Sequence, residues 1–122
     1  MTIEEVLVLH EIMIQRTGGS AGVRDLGLIE SALARGEAAF GGVEAYPDQI
    51  GKAAAIGSGL VQNHGFIDGN KRVGIAVLLL LLQDEGIKLQ YSQEELSDLG
   101  FHIAADHWSV EQVIAWIHEH KA

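Results

Sequence analysis

The sequence predicts an all-α single domain built around one central, buried helix. Three observations predict it. Apolar residues make up 48% of the chain and there is one proline, a balance that favours compact, mostly helical structure over disorder. Helix-opening signals recur: Thr2 with Glu5, Ser92 with Glu95 and Ser109 with Gln112 are capping boxes, in which two side chains satisfy each other's free backbone N–H groups. The run Val73–Leu82 is apolar on every face, the mark of a helix with no solvent side. A chain of 122 residues suits one domain with one core, and residues 1–122 are read as that domain.

The elements follow in order. After the first capping box, Ile3, Val6, Leu7, Leu9, Ile12 and Met13 recur at amphipathic spacing, and Gly18-Gly19 ends that helix. A glycine-bearing loop leads to Arg24. Asp25 is the N-cap of a second helix carrying Leu28, Ile29, Ala32 and Leu33, or else the partner of Arg24 in an ion pair. Gly36–Tyr46 holds three glycines and reads as an irregular loop or a short β-hairpin. Pro47 fits the first turn of a third helix, Asp48–Asn63, in which Ile50, Ala53, Ala54, Gly57 and Val61 pack closely. The most apolar helix runs from Asn70 to about Glu85 and stops at Gly86. Ile87–Tyr91 reads as a short extended piece. Ser92 and Ser109 open the last two helices, and Trp108 and Trp116 are packing residues.

Composition narrows the function. The formal charge is −9, from 17 acidic and 8 basic side chains. Such a surface repels phosphate backbones, so no direct nucleic-acid partner is expected. There is no cysteine, which excludes disulfides, zinc thiolates and thiol nucleophiles together. His102, His107, His118 and His120 contain no pair at the i, i+4 spacing of a helical metal site. The N-terminus lacks signal-peptide character, and Val73–Leu82 covers only about 15 Å as a helix, roughly half a bilayer core. The expectation is a cytoplasmic protein without a membrane partner.

The chemistry concentrates in His64-Gly-Phe-Ile-Asp-Gly-Asn-Lys-Arg72. The N–H groups at the start of the following helix point out of its N-terminus, where the helix dipole favours an anion. Gly69 allows close backbone approach, and Asn70, Lys71 and Arg72 add three kinds of donor. Asp68 would repel a bare phosphate. A Mg2+ ion resolves the conflict, because magnesium is commonly held by one carboxylate plus substrate phosphates. His64 supplies a base able to work near neutral pH. Phosphate, metal and base together describe phosphoryl or nucleotidyl transfer.

The nine residues resemble the signature of the Fic/Doc family, His-x-Phe-x-Asp/Glu-Gly/Ala-Asn followed by Gly or Lys and then Arg. The first helix with His10, the stretch Gly18–Ala32 and the Gly41–Tyr46 loop are similar as well, so the resemblance covers almost the whole chain. It implies a Fic/Doc-like helical bundle in which Gly36–Tyr46 is the flap that aligns the target segment. It implies that His64 deprotonates a protein hydroxyl and that Asp68 orients that hydroxyl or holds Mg2+. Asn70, Lys71 and Arg72, with the backbone of Gly69, would hold the nucleotide phosphates.

Departures from the signature choose among its branches. AMP-transferring members have Gly after the Asn and a second Arg three residues past the first; this chain has Lys71 and Ile75. Lys at that place marks the Doc branch, which implies a toxin that phosphorylates a Ser/Thr hydroxyl of a translation factor similar to elongation factor Tu. There is no self-inhibitory Ser/Thr-x-x-x-Glu-Gly/Asn motif, which implies a Phd-like antitoxin acting in trans. Gly65 stands where the family often has Pro, and glycine is expected to loosen the loop. AMP transfer, and an inactive binding module of the same fold, remain the alternatives.

Overall fold

The computed structural model describes residues 1–122. Helices begin where side chains cap them. Thr2 opens α1 (Ile3–Thr17), its hydroxyl accepting from Glu5 N–H at 3.2 Å while the Glu5 carboxylate accepts from Thr2 N–H at 2.9 Å. Asp25 caps α2 (Leu26–Ala34), so the capping reading of this residue holds, and no ion pair joins it to Arg24. A single 3-10 turn, Arg35–Glu37, leads into a two-stranded antiparallel hairpin, β1 (Ala39–Phe40) and β2 (Val43–Glu44). Its turn residues Gly41 and Gly42 have φ of +60° and +82°. Positive φ at both positions is what a two-residue hairpin turn needs, and glycine adopts it without steric cost.

The third helix starts one residue later than its proline suggested. Asp48 takes the cap, its carboxylate accepting from Gly51 N–H at 2.8 Å, so α3 is Gln49–Asn63 and Pro47 precedes the cap instead of occupying the first turn. The remaining helices are α4 (Asn70–Asp84), α5 (Gln93–Ala104) and α6 (Val110–Glu119), the last two opened by the expected capping boxes. The extended piece Ile87–Tyr91 is real: Leu89 bridges to Lys121, and Gln90 N–H donates to His120 O at 2.7 Å.

The centre of the domain lies one helix earlier than expected. Ten of fifteen α3 residues are buried, against five of fifteen in α4, and Leu80 of α4 is 37% exposed. Small residues explain the difference. A Cβ on Gly57 would sit 2.8 Å from Leu78 Cβ, and one on Gly59 would sit 3.1 Å from Ala32 Cβ. Backbones of α2 and α4 therefore close directly onto α3, whereas the bulky leucines of α4 are shared between core and surface. One apolar cluster joins α3 and α4 to α5 and α6; a second joins them to α1 and α2. The α3–α4 connection, His64–Gly69, emerges beside the second cluster. No helix is long and apolar enough to cross a membrane.

Candidate active site at the N-terminus of α4

His64 ends α3 in the left-handed region, φ 53° and ψ 47°. Glycine usually takes that place, and a side chain there carries a steric cost. The conformation leaves the imidazole exposed. Arg24 holds the main chain beneath it: Nε donates to His64 O at 2.7 Å, and a terminal guanidinium nitrogen donates to Asn63 O at 3.3 Å. These are α3 carbonyls without helical partners.

The connection is held tightly, not loosened by Gly65. That residue is buried, its carbonyl accepts from both Arg24 and Asp25 N–H at 2.8 and 3.0 Å, and a Cβ would sit 2.5 Å from Ile29 Cγ1. Glycine is required by the close approach of α2. Phe66 follows, buried and bridged to Val23. The Asn70 amide closes on it from both sides, Oδ1 accepting from Phe66 N–H at 2.9 Å and Nδ2 donating to Phe66 O at 3.0 Å. Asn70, expected among the phosphate donors, thus has its amide engaged in shaping the loop.

Asp68 sits at the mouth of α4. Its carboxylate accepts from Ser20 N–H at 3.0 Å and Gly69 N–H at 2.8 Å, and Arg72 lies 3.9 Å away. The Ser20 amide above all, then that of Gly69, hold its pKa below the usual carboxylate value, with Arg72 adding to the effect. An ionised carboxylate offers about four acceptor positions. Two amides leave room for a cation such as Mg2+, so the residues present fit one protein ligand to that ion.

Gly69, at φ 78°, precedes the helix and supplies no side-chain cap. The first α4 amide with a main-chain partner is that of Val73, bonded to Gly69 O at 2.9 Å. The amides of Asn70, Lys71 and Arg72 therefore face outward uncapped. Lys71 and Arg72 stand at the positive end of the helix dipole, where cations cost stability unless an anion is present. Arg72 also donates to Gly18 O at 2.9 Å and to the Thr17 hydroxyl. The Lys71 stem lies against α5, where a Cβ on Gly100 would sit 3.1 Å from Lys71 Cγ and Cδ. Lys71, Arg72, Ile75 and Gly100 line one open groove of about 420 Å³, with Met13 and Thr17 of α1 opposite. A cleft of about 520 Å³ elsewhere, walled by Leu79, Leu82, Leu89 and Tyr91, has Lys88 as its one charged side chain and no carboxylate or imidazole side chain.

The residues of this site fall within the stretch that matches known proteins. Residues 1–82, from α1 through most of α4, match the model of the Fic/DOC family. The chain belongs to the Fic/Doc family. It is 35% identical over 114 residues to Toxin Doc of Mycolicibacterium smegmatis, covering 92% of this chain and 85% of that protein. It is 32% identical over 110 residues to Protein kinase doc of Escherichia phage P1, covering 90% and 86%. These relatives make it a Doc-type member. In Fic/Doc terms, the signature residues His64–Arg72 form one continuous loop and helix start. The residues whose role the sequence did not disclose are His10 of α1 and Ser20 of the loop after it. Arg24, read as supporting the site through an ion pair with Asp25, instead donates to the carbonyls of His64 and Asn63. One signal was available for His10. It lies four residues past Val6 on the buried stripe of α1, and a buried imidazole calls for a polar partner.

Proposed function

We propose that the chain is a Doc-like toxin, an enzyme that transfers the γ-phosphate of ATP to a Ser/Thr hydroxyl of a translation factor in the cytoplasm. The observation that carries this reading is the shared setting of His64, an ionised Asp68 and the uncapped, cationic start of α4. In this reading His64 removes the hydroxyl proton and Asp68 orients that hydroxyl or holds Mg2+. The outward amides with Lys71 and Arg72 hold phosphates, and Gly69 lets them approach. Magnesium, when bound, would offset phosphate charge; positioning by the protein provides the rest.

The groove favours phosphate over AMP as the transferred group. Lys71 occupies the space beside the helix start with its stem against Gly100, and Ile75, half-buried in the same groove, offers no second guanidinium. An α-phosphate directed at the hydroxyl would lack the clamp that AMP transfer uses. The relatives named Toxin Doc and Protein kinase doc support both halves of the proposal, toxicity and kinase chemistry. A Phd-like antitoxin would restrain the enzyme in trans.

Expression in bacteria without a partner tests it. The wild type should stop growth and protein synthesis, and Asp68→Ala should do neither. Harmless accumulation of folded wild type would contradict the toxin reading.

A further inference from the structure

Apart from Ser58, His10 is the one polar or charged residue buried in the domain, at 4% exposure. It lies far in sequence from the signature, yet touches it twice. Its ring stacks on Phe66 with centroids 3.8 Å apart and planes at 11°. Its Nε2 lies 2.7 Å from the main-chain oxygen of Asp68. A carbonyl oxygen only accepts, so Nε2 carries the proton and donates.

The bond fixes more than one atom. In a trans peptide the C=O of one residue and the N–H of the next lie in one plane and point in opposite directions. With the Asp68 carbonyl turned to His10, the Gly69 N–H must point the other way, and there it meets Asp68 Oδ1 at 2.8 Å. Gly69 makes this arrangement easy to lose. Its φ of 78° shows a turn that only glycine enters freely, and glycine tolerates the opposite sign equally well. Rotation of the 68–69 peptide plane would cost Gly69 little. It would aim a carbonyl at the carboxylate and withdraw the amide that holds that carboxylate in place.

We propose that His10 is a positioning residue that locks the Asp68–Gly69 peptide, so that the Gly69 amide keeps the Asp68 carboxylate fixed at the start of α4. The proposal rests on the functional reading for its catalytic consequence and on geometry alone for the lock itself. His10→Phe keeps an aromatic ring on Phe66 and deletes the donor; His10→Gln keeps an N–H donor and deletes the ring.

Two readouts separate the claims. The first is hydrogen exchange of the Gly69 amide, which needs no activity. It should quicken by about tenfold in His10→Phe and return towards wild type in His10→Gln, as expected for a local opening. The second is transfer kinetics, with an expected fall in kcat of about 10 to 100-fold in His10→Phe, the usual cost of losing a group that orients a ligand. KM for ATP should be unchanged and kcat should recover in His10→Gln. Wild-type exchange at Gly69 in a folded His10→Phe protein would overturn the lock. Altered exchange with a wild type that transfers nothing would sustain the lock and overturn the kinase reading instead. If His10→Phe proves unfolded while His10→Gln folds with fast Gly69 exchange, the donor is not what holds the peptide, and the proposal fails.

Discussion

Arg24 Nε donates to the main-chain oxygen of His64 at 2.7 Å, joining the loop before α2 to the last residue of the α3 cap. The guanidinium thus holds the backbone from which the exposed imidazole projects, through main-chain carbonyls and not through a hydrogen bond to the ring.

Arg24→Met keeps the aliphatic stem and removes the donors. The His64 and Asn63 carbonyls are at the surface, where water can replace the lost partners, so the thermal midpoint should hardly move. Transfer should fall by about 10 to 100-fold, because small displacements of a reacting group are costly. Kinetics at saturating ATP with a matched melting curve check this. Full activity would show that His64 needs no such support.

His64→Gly separates strain from catalysis. A side chain at φ 53° carries a left-handed penalty that glycine lacks. The variant should be as stable as the wild type or more so, by about 1 kcal/mol or less. Transfer should nonetheless fall by about 10² to 10⁴-fold, the usual contribution of a general base. Denaturant titration and a transfer assay on the same preparation decide it. A destabilised variant that remained active would assign His64 a structural role.

Local chemistry was legible in the sequence, and contacts across the fold were not. Thr2, Asp25, Ser92 and Ser109 cap their helices as read, because a cap is decided within four residues. The same locality misplaced Pro47, since nothing in the proline itself shows that Asp48 outcompetes it for the helix boundary. Burial of α3 over α4 depends on which backbones approach Gly57 and Gly59, and leucine content is a poor guide to that. Gly65 looked like slack in the loop; the α2 backbone packed on it makes glycine a necessity. The candidate site divides the same way. His64–Arg72 is contiguous and could be read directly, whereas His10, Ser20 and Arg24 reach it from loops and helices 39 to 58 residues away.

The C-terminal half carries a pH-dependent tie. Both ring nitrogens of His120 lie 2.7 Å from acceptors, Trp116 O and Glu95 Oε2, so the bound ring is an imidazolium, and it stacks on Trp116. The Trp116 carbonyl first, then Glu95, raise its pKa above 6.5; capping bonds from Ser92 and the bond from His120 lower that of Glu95 below 4.5. The His120 contribution is complete below 6.5 and fades as pH rises through the raised value. That of Glu95 is complete above 4.5 and fades as pH falls through the lowered one. Melting curves should show the largest gap between wild type and His120→Gln between pH 4.5 and 6.5, narrowing on either side. A gap independent of pH would show that the pair does not form.

The central claim is that the γ-phosphate, and not AMP, reaches the target hydroxyl. Lys71 and Ile75 carry it, since one lies beside the start of α4 with its stem against Gly100 and the other leaves the groove without a second guanidinium beside Arg72. In the proposed reading the same donors hold ATP turned end for end, which changes the product while keeping each residue of the site in use. Intact mass spectrometry of a translation factor incubated with the protein, ATP and Mg2+ reads the outcome directly. The account predicts a gain of one phosphate group, absent with His64→Ala; a gain of one AMP would contradict it.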